Sequence, residues 1–163
     1  AHVGFADPFC PNLSASLYEA ARRAGATIHR GGAYVVMEGP AFSTRAESHV
    51  YRSWGASIIG MTALPEAKLA REAEMCYATL ACVTDYDVWH ESEADVSVEV
   101  VVANLQANTQ TAQRALRTLA EGLSDERACG CGDALAAAIV TSPAHIGVEA
   151  RERLAPIIGK YLA

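Results

Sequence analysis

Two carboxylates two residues apart, Asp85 and Asp87, follow the apolar run of residues 76 to 84 and stand next to Thr84. Residues so spaced in extended chain point to the same side, so at the mouth of an apolar strand the pair is expected to be partly desolvated and mutually repulsive. One of them can then hold a proton near neutral pH, which suits general acid work or pairing with a ligand that presents adjacent donors. Two other readings stay open: a polar turn capping a buried strand, and a D-x-D cation site, although no further carboxylate or histidine pattern completes such a shell. Met61 and Thr62 leave a second apolar run, residues 57 to 60. In open α/β sheets ligands gather at the carboxyl ends of strands, which makes these two exits the first places to look.

Residues 38 to 47 place a Gly-Pro turn, Phe42 and Ser43 just before a helix start. A ring beside a helix N-terminus with hydroxyls can stack a flat ligand and offer donors to its edge, or simply anchor a loop. His2 is a candidate pocket residue or an ordinary surface histidine, and His29, His49, His90 and His145 show no metal spacing. Of the five cysteines, Cys10, Cys76, Cys82, Cys129 and Cys131, the last two form a C-x-C that is expected to be a loop with two thiols. It lacks the second pair that a zinc site needs, and a disulfide within it would be strained and redox-labile. The odd count favours free or buried thiols.

The elements that must position these residues alternate in type. Asn12 can cap a helix to about Arg23, with Leu13, Leu17, Ala20 and Ala21 on one face and Gly25 as its stop. Residues 27 to 30 and 33 to 37 are β-type runs joined by Gly31-Gly32, which predicts a hairpin. Thr44 and Glu47 form a capping box before a helix that carries Val50, Tyr51 and Trp54 and ends at Gly55. A short buried strand at 57 to 60, a helix at 66 to 74 and a strand covered on both faces at 76 to 84 follow. From a cap at Ser97 a long helix is expected over 98 to 121, with Val98, Val101, Val102, Leu105, Ala112, Leu116 and Leu119 as its buried stripe. More helix follows Cys129 to Gly132, bent or interrupted at Pro156. The architecture this implies is α/β.

The 163 residues carry 13 Lys and Arg against 19 Asp and Glu, a net charge of −6, with no basic run. That balance repels polyanions and argues against a nucleic-acid partner. The apolar stretches fall short of the ~20 residues of a membrane span, so no membrane partner is expected. With no secretory signal after Ala1, the cytoplasm is the expected compartment.

Five ordered strings, residues 7 to 11, 38 to 48, 54 to 62, 65 to 66 and 84 to 91, together resemble the C-terminal part of the methylthioadenosine phosphorylases, a branch of the trimeric purine nucleoside phosphorylase family. The likeness is expected to fade after about residue 120. It implies the C-terminal portion of a single nucleoside phosphorylase domain over residues 1 to 163, with a central mixed sheet flanked by helices. It also implies a pentosyltransferase of purine and methionine salvage that converts 5′-methylthioadenosine and phosphate to adenine and 5-methylthioribose 1-phosphate. At matching positions Asp85 and Asp87 would hold the adenine N7 and exocyclic amine, with Thr84 beside them. Phe42 and Ser43 would line base and sugar, Met61 would lie under the ribose hydroxyls, and Thr62 would contact phosphate. His2, Val98 and Val102 would surround the 5′ substituent, His2 projecting into a neighbouring subunit's site. Phosphate is a co-substrate, and no metal or organic cofactor is implied.

The family's Gly-rich N-terminal strand and its Arg-His pair do not occur in the sequence, so the missing N-terminal half is itself an expected partner, within a homotrimer or hexamer. Gly60 stands where relatives with Asn occur. Cys10 and Cys76 match positions bridged in some heat-stable relatives, so the resemblance implies that they lie close enough to bridge. The alternatives are a phosphorylase of 6-oxopurine nucleosides or methylthioinosine, and a purine-binding fragment without turnover.

Overall fold

A computed structural model describes residues 1 to 90 and 98 to 162. The chain is α/β, with a parallel pair of strands and five α-helices among the described residues. It divides into two compact units, one built from residues 15 to 64 and 79 to 123, the other from residues 1 to 14, 65 to 78 and 124 to 163.

Helix α1 (Pro11–Arg23) buries Leu17, Ala20 and Ala21, all three in the first unit. It begins one residue before the expected cap: proline takes the first helical position, and the Cys10 carbonyl accepts the Ser14 amide. Strand β1 (Ala33–Val36) lies parallel to β2 (Ala56–Gly60), with α2 (Arg45–Ser53) as the crossover between them. The hairpin expected at Gly31-Gly32 therefore does not form, and residues 27 to 30 are not a strand. Gly32 serves a close approach instead, while Gly31 only takes a left-handed backbone at φ 80°. A Cβ on Gly32 would stand 2.6 Å from Ser57 Oγ, where the register between the two strands is irregular. The strand expected to be buried at 57 to 60 is only half-covered.

The capping box at α2 is present in both directions: Thr44 Oγ1 accepts the Glu47 amide and Glu47 accepts the Thr44 amide at 2.6 Å. The Thr44 amide holds the Glu47 carboxyl below its usual range. Helix α3 (Ala63–Glu72) starts three residues earlier than its pattern suggested and buries Ala63 and Ala67. Residues 76 to 84 form no strand. Nor is the run covered on both faces: residues 76 to 80 are half-buried and 81 to 83 exposed, and no ladder is made along it among the described residues. Helix α4 (Val98–Gly122) is long, as expected. Its covered face centres on Ala115, however, while Val102, Leu105 and Leu116 of the expected stripe stay about half exposed. The cap expected at Ser97 lies outside the described residues.

The second unit contains α5 (Val148–Ile158), in which Pro156 falls within the last turn before the chain tightens into a 3-10 turn at Gly159–Tyr161. The centre of this unit is Glu74. The chain leaves α3 by a left-handed turn in which Glu74 N–H bonds to Arg71 O and Met75 N–H to Ala70 O. The same pair of bonds closes α1, where Gly25 takes the left-handed position. Glycine adopts it without steric cost, whereas Glu74 sits there at φ 54° against an unfavourable Cβ contact. Its carboxylate compensates: Leu135 N–H donates at 2.9 Å, the Tyr161 hydroxyl donates to the same oxygen, and Lys160 Nζ lies 2.7 Å from the other. Burial by itself raises this carboxyl, but the three donors outweigh it and bring the pKa from 4.5 to about 2.

Because the folded carboxyl titrates below the unfolded one, its stabilising contribution is complete above pH 4.5 and is lost as the pH falls toward about 2. Glu74→Gln is expected to flatten that acid limb in urea midpoints measured from pH 2 to 7, and to cost about 1–3 kcal/mol at neutral pH. An unchanged acid limb would show that the carboxylate is not held as described.

Candidate functional site

The parallel pairing of β1 and β2 brings their carboxyl ends to one edge, and Met37 N–H bonds to Gly60 O where both strands stop. Met61 and Thr62 leave β2 at this edge, and Thr62 directly precedes the first turn of α3. Met61 is half-buried, with its sulfur beside Gly39: a Cβ on Gly39 would stand 2.9 Å from it. Ser43 is buried, its hydroxyl 3.8 Å from the Met37 sulfur, while Phe42 is 83% exposed. Gly60 has its own reason here, since a Cβ would fall 2.2 Å from the Tyr34 hydroxyl. An asparagine at this position would displace Tyr34.

Residues 84 to 90 are non-repetitive chain held from two sides. Helix α4 supplies the amide groups of Asn104 and Asn108, which donate at 2.8 Å to Thr84 O and Val83 O. Helix α2 supplies two arginines two turns apart: Arg45 donates to Val88 O at 2.6 Å, and the Arg52 guanidinium lies 3.4 Å from the centre of the Trp89 ring. The Tyr86 ring stacks on His90 at 4.7 Å and meets Trp89 edge-on. Within this frame the Thr84 hydroxyl donates to Asp85 at 2.7 Å. Asp85 is exposed and Asp87 half-buried, so the desolvation expected of the pair is not met at Asp85.

Phe42, Ser43, Met61, Thr62, Thr84, Asp85, Asp87 and Val102 all belong to the first unit. Val102 is 44% exposed on α4. Val98 opens that helix, and its side chain lies outside the description. His2 belongs to the second unit, where its amide donates to Ala138 O and its side chain is exposed. The pattern of residue types did not point to Arg45, Arg52, Asn104 or Asn108. Three of these four bind backbone carbonyls, which leave no mark on the sequence of the partner.

The second unit also corrects the reading of the cysteines. Cys10 and Cys76 supply the second pair that the C-x-C lacked, and all four sulfurs of Cys10, Cys76, Cys129 and Cys131 lie within 4.8 Å of one another. Cys10 and Cys76 thus come close together, as expected, but no disulfide joins them: all five cysteines are free thiols, and Cys76 and Cys129 approach to 3.4 Å. Burial raises the thiols of Cys131 and Cys76, whereas the Cys131 amide lowers that of Cys129.

Residues 1 to 121 match the model of the phosphorylase superfamily. The chain belongs to the phosphorylase superfamily. Among curated members, the S-methyl-5′-thioadenosine phosphorylase of Geobacter sulfurreducens is 57% identical over 99% of this chain and 57% of its own length. That of Chloroflexus aurantiacus is 55% identical over 99% and 56%. Both alignments run through the last forty residues, where the resemblance was expected to fade. The superfamily fold is also seen in a methylthioadenosine phosphorylase from an antarctic soil metagenomic library, with TM-score 0.88, 44% identity, and coverage of 96% of this chain and 56% of that one. The Schistosoma mansoni methylthioadenosine phosphorylase in complex with adenine gives TM-score 0.68 at 33% identity, covering 77% and 50%. This superfamily chain thus spans a little over half the length of the curated relatives it matches.

Arg52→Ala is expected to release the 84 to 90 segment from α2. Amide exchange of those residues should quicken severalfold while that of α1 stays unchanged, with a loss of about 1 kcal/mol in stability. Exchange read by mass spectrometry checks this, and equal protection in the variant would remove the ring contact as the clamp.

Proposed function

We propose that the chain carries the nucleoside-binding part of a 5′-methylthioadenosine phosphorylase, a pentosyltransferase that releases adenine and forms 5-methylthioribose 1-phosphate. The observation that carries this reading is the 57% identity to a protein of that name over 99% of the chain. The placement of Met61, Thr62, Ser43, Asp85 and Asp87 within one unit supports it.

Phosphorolysis of an N-glycoside develops positive charge on the sugar and negative charge on the departing purine, so a proton supplied toward N7 lowers the barrier. In this reading Asp85 and Asp87 face N7 and the 6-amino group, with Thr84 beside them and its hydroxyl fixing the Asp85 carboxylate. Exposed Phe42 stacks against the base, Ser43 reaches the sugar, and Met61 lies under the ribose hydroxyls. Thr62 meets phosphate at the start of α3, where unpaired backbone N–H groups favour an anion. Apolar Val98 and Val102 suit a methylthio group, because a free 5′-hydroxyl buried against them would lack partners. His2 acts at the 5′ end of a neighbouring subunit's site in a homotrimer or hexamer that includes the remaining half of the enzyme. The reaction consumes phosphate as co-substrate, uses no metal or organic cofactor, and serves salvage in the cytoplasm. No described helix is long and apolar enough to cross a membrane.

The test is phosphate-dependent release of adenine from 5′-methylthioadenosine, with the 163-residue chain expected to be inactive until joined to the length its relatives carry. In that longer protein Asp87→Asn is expected to shift kcat/KM from 6-amino toward 6-oxopurine nucleosides by about tenfold or more, because an amide donates to O6 where a carboxylate cannot. An unchanged ratio would remove Asp87 from the base site, and a preference for 6-oxopurines before substitution would favour the rival substrate class.

A further inference from the structure

None of the four clustered thiols is assigned to the nucleoside site, and nothing in the proposed reaction uses them. We propose that Cys10, Cys76, Cys129 and Cys131 bind one structural zinc ion.

The geometry is that of a single ion. Zinc bonded to four thiolates at ~2.3 Å sets its sulfurs ~3.8 Å apart. In this chain Cys76 and Cys129 stand 3.4 Å apart, and no pair exceeds 4.8 Å. A point central to such a set is at most about 3 Å from each sulfur, room for one ion and too little for an iron–sulfur cluster with its bridging sulfides. Four thiolates in this arrangement select zinc over the hard cations. Cys10 and Cys131 are buried, and Cys76 and Cys129 half-buried, which leaves no open coordination position of the kind a catalytic zinc keeps.

The surroundings suit thiolate ligands. Leu13 N–H donates to Cys10 Sγ at 3.4 Å from the first turn of α1. The Cys131 amide donates to Cys129. Four thiolates around a divalent ion leave a net charge of −2, and two cations flank the neighbouring Gly132. The Arg127 guanidinium is 3.7 Å from where its Cβ would be, and Lys160 donates to its carbonyl. Two acids share Lys160, Glu74 at 2.7 Å and Asp133 at 3.8 Å, so Arg127 is the cation left to offset the thiolates. Such outer contacts orient ligands and balance their charge.

The site also answers a structural need. Its ligands come from all three stretches of the second unit, residues 1 to 14, 65 to 78 and 124 to 163. Those stretches total about 70 residues, a size at which a core alone rarely suffices. The buried apolar side chains described there are mostly small: Ala67, Ala138, Leu135, Cys10 and Cys131. Each thiol gives its proton to solvent as it binds, and no electron is transferred. A zinc ion would cross-link the three stretches without an oxidant.

The probe is Co²⁺ added to the reduced protein, followed by Zn²⁺. The expected result is one Co²⁺ per chain, with the thiolate-to-cobalt charge-transfer band and the strong visible bands of a tetrahedral sulfur site. Zn²⁺ should displace it stoichiometrically and raise Tm by ~5 °C or more. Cys76→Ser and Cys131→Ser should each abolish the four-sulfur spectrum, while Cys82→Ser keeps it. Absence of the spectrum in the reduced, unsubstituted protein would overturn the proposal, a result that stands even if a serine variant does not fold. Retention of the spectrum in both cluster variants would also overturn it, as would a native mass showing these four cysteines paired as disulfides. None of these outcomes bears on whether the protein cleaves nucleosides.

Discussion

Residues 84 to 90 have neither a ladder nor a helix of their own, so their shape has to be imposed from outside. One constraint is the Arg52 guanidinium against the face of Trp89. A guanidinium is planar and weakly hydrated, so it loses little by lying on a ring, and the Arg45 bond to Val88 O one residue earlier fixes the same stretch to the same helix. The two asparagines of α4 then hold the carbonyls at the entry. The capping box at Thr44 matters for the same reason. It fixes where α2 begins, and therefore which face of that helix presents Arg45 and Arg52.

What could be read from the residues was the local physics. The capping box joins Thr44 and Glu47 within one turn, and the length of α4 follows from its sustained helical period, so both were legible. The aspartate pair drew attention because it follows an apolar run. The hairpin failed because Gly31-Gly32 signals only that the chain can turn there, whereas the requirement came from Ser57, far along the chain. The expected strand at 76 to 84 failed in the same way, since apolar composition does not say where a pairing edge lies. Burial along α4 was misjudged because the covered face is set by what packs on it, and that face carries Ala115. The four cysteines were unreadable as a group because the intervals from 10 to 76 and from 76 to 129 match no local spacing rule.

Glu74 illustrates how a locally unfavourable choice persists. The turn after α3 favours glycine, and Gly25 shows that this chain uses glycine in the identical turn after α1. A glycine after α3 would ease the backbone but leave Leu135 N–H and the Tyr161 hydroxyl without this acceptor, and Lys160 without its nearest carboxylate. The strained residue is kept because its side chain serves a stretch that begins fifty residues later in sequence.

The division of the chain into segments also orders events in time. The first unit closes with residue 123, so a chain emerging from synthesis can complete it before the last forty residues exist. The second unit cannot do so, because its opening fourteen residues must wait for partners more than a hundred positions downstream. Loop closure over such separations is slow, and pairings of high contact order form late. Until residues 124 to 163 arrive, Cys10 and Cys76 are two thiols on a nascent chain without their other pair. This interval is when mispairing or capture by a redox partner would do most harm.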